Sequence, residues 1–207
     1  MSEITYYYAA YSGFAYLGSR RFQEIAKQAQ RTIVHKPIDL EVVLSENGSQ
    51  SWADRTKAHL DYYFRRELER WSEYRQVSVL KQRPTHHGNS TNPANRLLIA
   101  GIVSGLNVNE LSHQLMAKHW AEDADLADKD TLITIIESVG FNAEELIALA
   151  ESSEVDVIYL QNTQDALDLS VFGSPTYVVD GDMFYGQDHL ELVERALNSP
   201  FLNRLNL

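Results

Sequence analysis

Ser12 closes the apolar run from Ile4 to Tyr11 and opens a stretch with helical spacing, in a chain that has no cysteine of its own. A serine hydroxyl cannot exchange disulfides. It can, however, donate a hydrogen bond to the thiolate of a borrowed thiol, and the helix-start amides of Phe14 and Ala15 add the positive end of a helix dipole. That help matters because a free thiol titrates near ~8.5 and is mostly protonated at neutral pH. Serine also caps helices that bind nothing, so position alone leaves both roles open. Ser174-Pro175 stands before a strand-like run, where a proline can open an edge strand. Gln187-Asp188 stands before the last helical stretch, where an aspartate can simply cap or charge the helix start.

Other constellations point away from metal and hydrolase chemistry. His86 and His87 are adjacent and so face different ways, and the six-residue separation of His113 and His119 does not share a helix face. No metal site is expected. The run from Asp123 to Asp130 has the composition of a calcium loop but lacks its glycine (Asp128 stands there) and its closing acid (Thr134), which leaves a solvated loop between helices. Gly173-Ser174-Pro175 does not continue as a G-x-S-x-G nucleophile elbow.

The elements that must position these residues begin with strand, helix, strand. Ile4 to Ala9 is bulky and β-rich, Phe14 to Gln30 has helical apolar spacing at Leu17, Phe22, Ile25 and Ala29, and Thr32 to His35 is β-branched again. Such a βαβ unit predicts parallel strands joined by a right-handed crossover. From about Ser51 to Gln164 the pattern is helical, with segments at Thr56–Tyr74, Pro93–Gly105, Asn109–Asp123, Thr131–Val139 and Ala143–Ser152. Asn107 with Glu110, and Asn142 with Glu145, have capping-box spacing. Strand signals return at Pro175–Val179 and Met183–Tyr185 around Asp180-Gly181, a two-residue hairpin signal, before a closing helix at Asp188–Asn198. The order is βαβ, helical insertion, ββα, which predicts an α/β domain formed by residues 1–50 and 165–207 around a helical subdomain of residues 51–164.

With 207 residues, 44% hydrophobic and 23% charged, the chain can bury one sizeable core. No stretch reaches the ~18 apolar residues of a membrane span, and the start lacks a secretory pattern, so a soluble cytoplasmic protein is expected. A net charge of −11 argues against a general nucleic-acid binder. Arg65, Arg66, Arg70 and Arg75 are expected to lie on a solvated helix face paired with Glu67, Glu69 and Glu73.

Four stretches carry a resemblance to a known family: Tyr11 to Gly18, Arg66 to Trp71, Val171 to Val179, and Phe184 to Asp188. In this order and spacing they resemble the 2-hydroxychromene-2-carboxylate isomerases, relatives of the kappa-class glutathione transferases in the DsbA-like branch of the thioredoxin fold. The resemblance implies a thioredoxin-like fold with a large all-helical insertion, a homodimer, and glutathione as a bound cofactor. Ser12, where a thioredoxin would carry its reactive cysteine motif, matches the serine that contacts the glutathione sulfur. It further implies a cis peptide at Ser174-Pro175, presenting the Ser174 backbone to the cysteinyl part of glutathione, and Gln187-Asp188 at the γ-glutamyl end. The reaction implied interconverts a hydroxychromene carboxylate with the open trans-hydroxybenzylidene pyruvate, a small aromatic substrate, by reversible thiolate addition. A kappa-like glutathione transferase or a non-catalytic thioredoxin-fold protein are the alternatives. Tyr8, Tyr11, Phe14 and Tyr16 are candidates for an aromatic wall, and the loop from Pro84 to Arg96 is expected to border the pocket. Two departures stand out. Gly13 replaces a common proline, which is expected to loosen the start of the first helix. Leu60 replaces a lysine that contacts glutathione, with Arg55, Lys57 and His59 as nearby basic residues.

Overall fold

A computed structural model describes residues 3–48 and 54–202 of the chain. The expected junction at residues 50 and 51 therefore lies outside the described residues. Strand β1 (Glu3–Tyr8), helix α1 (Gly13–Gln28) and strand β2 (Thr32–Pro37) form the βαβ unit, with β1 and β2 parallel as the sequence predicts. The consecutive tyrosines of β1 reflect burial on both faces. Ile4, Tyr6 and Tyr8 pack against α1 and the helical region, while Tyr7 enters a smaller core with Ile38, Val43, Ala166 and Val171. Helices cover both faces of the sheet at β1, and each such aromatic contributes roughly 1.5–3 kcal/mol through burial.

Strands β3 (Thr176–Val179) and β4 (Asp182–Tyr185) complete a four-stranded sheet in the order β2-β1-β3-β4. The hairpin turn is Asp180-Gly181, both at positive φ (51° and 91°), as a primed turn requires. Arg31 holds that turn by two bonds to the Asp180 carboxylate at 2.9 and 3.0 Å. Strand β3 runs antiparallel to β1, with Tyr7 opposite Thr176. This register sets the residues just before β3 beside the residues just after β1. The topology thus brings Ser174 to Ser12 across most of the chain length.

The helical region comprises α2 (Leu40–Glu46), α3 (Lys57–Asp61), a π-helical segment (Tyr62–Arg66), α4 (Glu67–Arg75), α5 (Asn92–Val103), α6 (Asn109–Glu122), α7 (Lys129–Ser138), α8 (Ala143–Ala150) and α9 (Ser153–Asp168). Residues of α5, α6, α7, α8 and α9 share one buried cluster with β1 and α1. The predicted cap at Asn142 forms, accepting from the Glu145 amide at 3.3 Å. The predicted one at Asn107 does not: α6 starts after Val108, and the Asn107 carboxamide instead accepts from the Asn109 amide, two residues on. That is an Asx turn, the local alternative to a cap. The last helix, α10 (Leu190–Asn198), follows a 3₁₀ turn at Gln187–His189. No helix among the described residues is long and apolar enough to cross a membrane.

Candidate functional site at the start of the first helix

Ser12 is the N-cap of α1, in extended conformation (φ −69°, ψ 117°), and its Oγ accepts from the Ala15 amide at 3.3 Å. Its hydroxyl hydrogen goes elsewhere: Ser12 Oγ donates to the carbonyl of Ser174 at 3.1 Å. In return the Ala9 amide donates to Ser174 Oγ at 3.1 Å. The Ser174-Pro175 peptide is cis, as the resemblance implies. The loop after β1 and the loop before β3 are thereby stitched together by both serines. Asn95, fully buried on α5, fixes the first loop from behind. Its Oδ1 accepts from the Ala10 amide at 2.8 Å while Nδ2 donates to Ile38 O and Tyr159 Oη at 3.2 Å.

Gly13 is tightly enclosed, not loose. A Cβ built there would lie 2.8 Å from Trp120 Cζ2 and 3.1 Å from Leu68 Cδ2. Trp120 cannot easily retreat, since its Nε1 donates to the Tyr11 carbonyl at 2.7 Å. The absence of a side chain lets the indole close directly on the start of α1. The expectation of a loosened helix start is therefore corrected.

A cavity of about 1120 Å³ opens beside Ser12, Gly13 and Ser174. Its aromatic wall is Tyr11, Phe14, Tyr63, Phe64, Trp120 and Tyr185. Two of the four aromatics expected there lie elsewhere. Tyr8 and Tyr16 belong to the core, where Tyr8 Oη meets His35 Nδ1 at 2.9 Å and Tyr16 Oη donates to Ser78 O at 3.0 Å. Tyr63 and Phe64, in the π-helical segment, are not among the aromatics expected there: with Leu60 and Leu68 they keep helical apolar spacing, which marks an inward face without distinguishing core from cavity. Arg55, Arg65, Lys81 and Arg83 also line the cavity, with Glu41, Asp61 and Glu69. Leu60 lines it too, and of Arg55, Lys57 and His59 it is Arg55 that does; Lys57 is ion-paired with Asp61. From the loop at Pro84 to Arg96, His87 and Gly88 reach the cavity.

A recess of about 70 Å³ adjoins the cavity through Phe14, Tyr63, Ser174 and Tyr185 and is bordered by Gln187 and Asp188. Gln187 is buried, packed where α1 passes it at Gly18, and Arg75 donates to its Oε1 at 3.2 Å and to its carbonyl at 3.1 Å. Arg75 departs from the solvated face expected for the arginine cluster, while Arg65 and Arg66 do pair with Glu69, and Arg70 with Glu67. Gln187 Nε2 is buried without a hydrogen-bond partner. The Asp188 side chain is half exposed at the mouth of the recess. Among the described residues no three His, Asp or Glu side chains gather as metal ligands.

The comparisons agree with this architecture. A family profile described as the DSBA-like thioredoxin domain matches residues 3–198. A 2-hydroxychromene-2-carboxylate isomerase of Pseudomonas putida is 25% identical over 199 residues, covering 94% of this chain and 93% of that protein. Glutathione S-transferase kappa 1 of Caenorhabditis elegans is 19% identical over 211 residues, covering 97% and 92%. Among solved structures, that of a 2-hydroxychromene-2-carboxylate isomerase superposes with a TM-score of 0.78 at 24% identity, covering 94% of each chain. With a sheet of this order, a serine at the head of α1 facing a cis-proline loop, and a family match spanning nearly the whole chain, the protein belongs to the DSBA-like thioredoxin domain family.

Proposed function

We propose that the protein is a glutathione-dependent isomerase acting on a conjugated aromatic substrate, of the 2-hydroxychromene-2-carboxylate isomerase type. The observation that carries this is the Ser12 hydroxyl, held at the start of α1 against the Ser174 carbonyl, on the wall of an aromatic-lined cavity of about 1120 Å³.

The residues present fit a cysteinyl thiol. Ser12 offers a hydroxyl and the first amides of α1 offer the positive end of its dipole, the two groups that favour a charged sulfur. Ser174 would pair its backbone with the cysteinyl peptide unit, as an added strand does. Asp188, beside the adjoining recess, would face the γ-glutamyl ammonium, and Gln187, whose Nε2 is buried without a partner, borders the same recess. Bound in this way, glutathione would supply a sulfur nucleophile able to add reversibly to a conjugated carbon and so free a double bond to rotate.

The chain's own part follows from its hydrogen bonds. Ser12 must turn its hydroxyl from the Ser174 carbonyl toward the ligand, which releases that carbonyl to accept a ligand N–H. One internal bond is exchanged for two external ones, so binding and activation of the thiol are coupled at a single residue. The aromatic wall excludes water from the conjugated substrate, while Arg55, Arg65, Lys81 and Arg83 outnumber Glu41, Asp61 and Glu69 on the lining, so that a carboxylate substrate meets a slightly positive cavity in a chain of net charge −11.

The test is calorimetry of glutathione binding to wild type and Ser12→Ala from roughly pH 6 to 9, the range around the free thiol value. Binding that releases a proton near neutrality, with less release in the variant, supports the reading. No binding at millimolar glutathione refutes it. Turnover of a benzylidene pyruvate with glutathione regenerated identifies an isomerase, and consumption of glutathione into a conjugate identifies a kappa-type transferase instead.

A further inference from the structure

His87 takes no part in the chemistry above, yet it lines the same cavity and is held in one tautomer by a relay of hydrogen bonds. The relay starts at a group that can only accept. His119 Nδ1 lies 2.9 Å from the Ala124 carbonyl, so Nδ1 carries the hydrogen and Nε2 carries a lone pair. His119 Nε2 lies 2.8 Å from His87 Nδ1, which must therefore be the donor. The His87 hydrogen is thereby committed to His119, and its Nε2 is left as a lone pair. His119 is buried and cannot exchange its partners with water.

The ring plane is fixed as firmly as the tautomer. Tyr11 and Trp120 each meet His87 edge to face at 5.1 Å, and the His119 ring lies nearly parallel to it at 22°, edge to edge along their shared hydrogen bond with centroids 5.1 Å apart. Both aromatics line the cavity, and Tyr11 precedes Ser12 directly. His86, its neighbour in sequence, instead points to Asp125 at 3.5 Å and takes no part. The groups acting on His87 oppose its protonation: burial, His119 and Arg83 together bring it down to about 3, so the ring is neutral across the physiological range. A ring this hard to protonate is a poor general base and a durable hydrogen-bond acceptor.

We propose that His87, locked by His119, is a specificity-determining acceptor that selects substrates bearing a hydroxyl on the aromatic framework and disfavours those carrying an ether or a hydrogen in its place. An acceptor covered by a ligand that brings no donor loses its hydration for nothing, whereas a hydroxyl satisfies it. This deepens the proposed function only in requiring an aromatic ligand in this cavity, and it makes no use of the thiol.

The experiment measures binding without any thiol, by quenching of tryptophan fluorescence, for 2-hydroxycinnamate, 2-methoxycinnamate and cinnamate. Wild type should favour the hydroxylated ligand by about tenfold, the scale of one buried hydrogen bond. His87→Phe keeps the ring contacts with Tyr11 and Trp120 and should bring the ratio to about one. His119→Gln, whose Oε1 can still accept from His87 Nδ1, should retain most of the preference, a rescue that a merely packing role would not produce. Nitrogen-15 chemical shifts of the imidazoles give a ligand-free reading, in which His87 must appear as the Nδ1–H tautomer. An Nε2–H tautomer, an unchanged ratio in His87→Phe, or failure of all three cinnamates to bind at millimolar concentration would each overturn the proposal. Loss of glutathione binding with the hydroxyl preference intact would refute the thiol reading alone.

Discussion

Adding a single methyl group at Gly13 tests whether the closure of Trp120 on the helix start is as tight as the geometry requires. The Gly13→Ala Cβ would stand 2.8 and 3.0 Å from Trp120 Cζ2 and Cε2 and 3.1 Å from Leu68 Cδ2. Contacts under 3.0 Å are not tolerated, so either the indole or the start of α1 must move. The indole is anchored by its bond to the Tyr11 carbonyl and by its edge contact with His87. Overpacking a closed site costs about 1–3 kcal/mol. Replacing glycine elsewhere would gain about 0.4–1 kcal/mol by restricting the unfolded chain, which offsets part of this. The net expectation is a loss of about 1–2 kcal/mol, a fall in Tm of about 2–8 °C for a domain of this size. Thermal unfolding followed by circular dichroism measures it. In a Trp120→Phe background the cost of Gly13→Ala should largely vanish, which a double-mutant cycle reads as coupling. A midpoint that rises in Gly13→Ala, or an equal cost in both backgrounds, refutes the reasoning.

Ser12→Ala should raise the barrier to thiol-dependent turnover by about 2–4 kcal/mol, the loss of one preorganised donor, and should cost about 1 kcal/mol of stability as a lost cap; steady-state kinetics with unchanged kcat would sink the assigned role. Asn95→Leu leaves the Ala10 amide and the Ile38 carbonyl without their partner and should destabilise the fold by about 2–4 kcal/mol in urea unfolding, with the loop carrying Ser12 freed at the same time. Acid should weaken the protein through its buried imidazoles. Burial holds His35 and His113 down to about 4, so as pH falls from the ordinary histidine value of 6.5 the unfolded chain takes up protons that the folded chain refuses. Stability from this source is complete above about pH 6.5 and is lost toward pH 4, by about 3 kcal/mol for His35 alone. Tm measured from pH seven to five should fall less steeply in a His35→Asn, His113→Asn double variant, and equal slopes would count against the argument.

The fold was legible where local pattern and burial agree. The βαβ start, the Asp180-Gly181 hairpin and the closing helix each have a periodicity or a turn chemistry that the structure retains, and the family motifs at Ser12 and Ser174 pointed to one place. Legibility failed where tertiary contacts override local signals. Nothing in the sequence around Gly13 reveals that Trp120, more than a hundred residues away, fills the space of its missing side chain. Tyr8 and Tyr16 looked equivalent to Tyr11 and Phe14, but the pleat of β1 and the phase of α1 send them inward. Arg75 looked like its neighbours on a solvated face and is instead mostly enclosed, fastening α4 to the turn at Gln187. The pairing of His87 with His119 joins a loop to a helix, so residue spacing held no trace of it.

The π-helical segment at Tyr62–Arg66 gives the cavity wall a particular kind of vulnerability. An α-helix turns 100° per residue, so it offers one face only every third or fourth side chain. Here Leu60, Asp61, Tyr63, Phe64 and Arg65 all reach the cavity from a continuous helical run. The wider turn amounts to one surplus residue accommodated without breaking the helix. The wall is therefore encoded by chain length as much as by side-chain type. A variant shortened by one residue in this segment would keep its composition and its helix yet rotate its aromatics out of phase with Leu68 and Trp71, which pack against the core from α4. Related chains differing by a single insertion or deletion at this point would consequently differ in the shape of the ligand they admit, with no substitution needed at Ser12 or at the cis-proline loop.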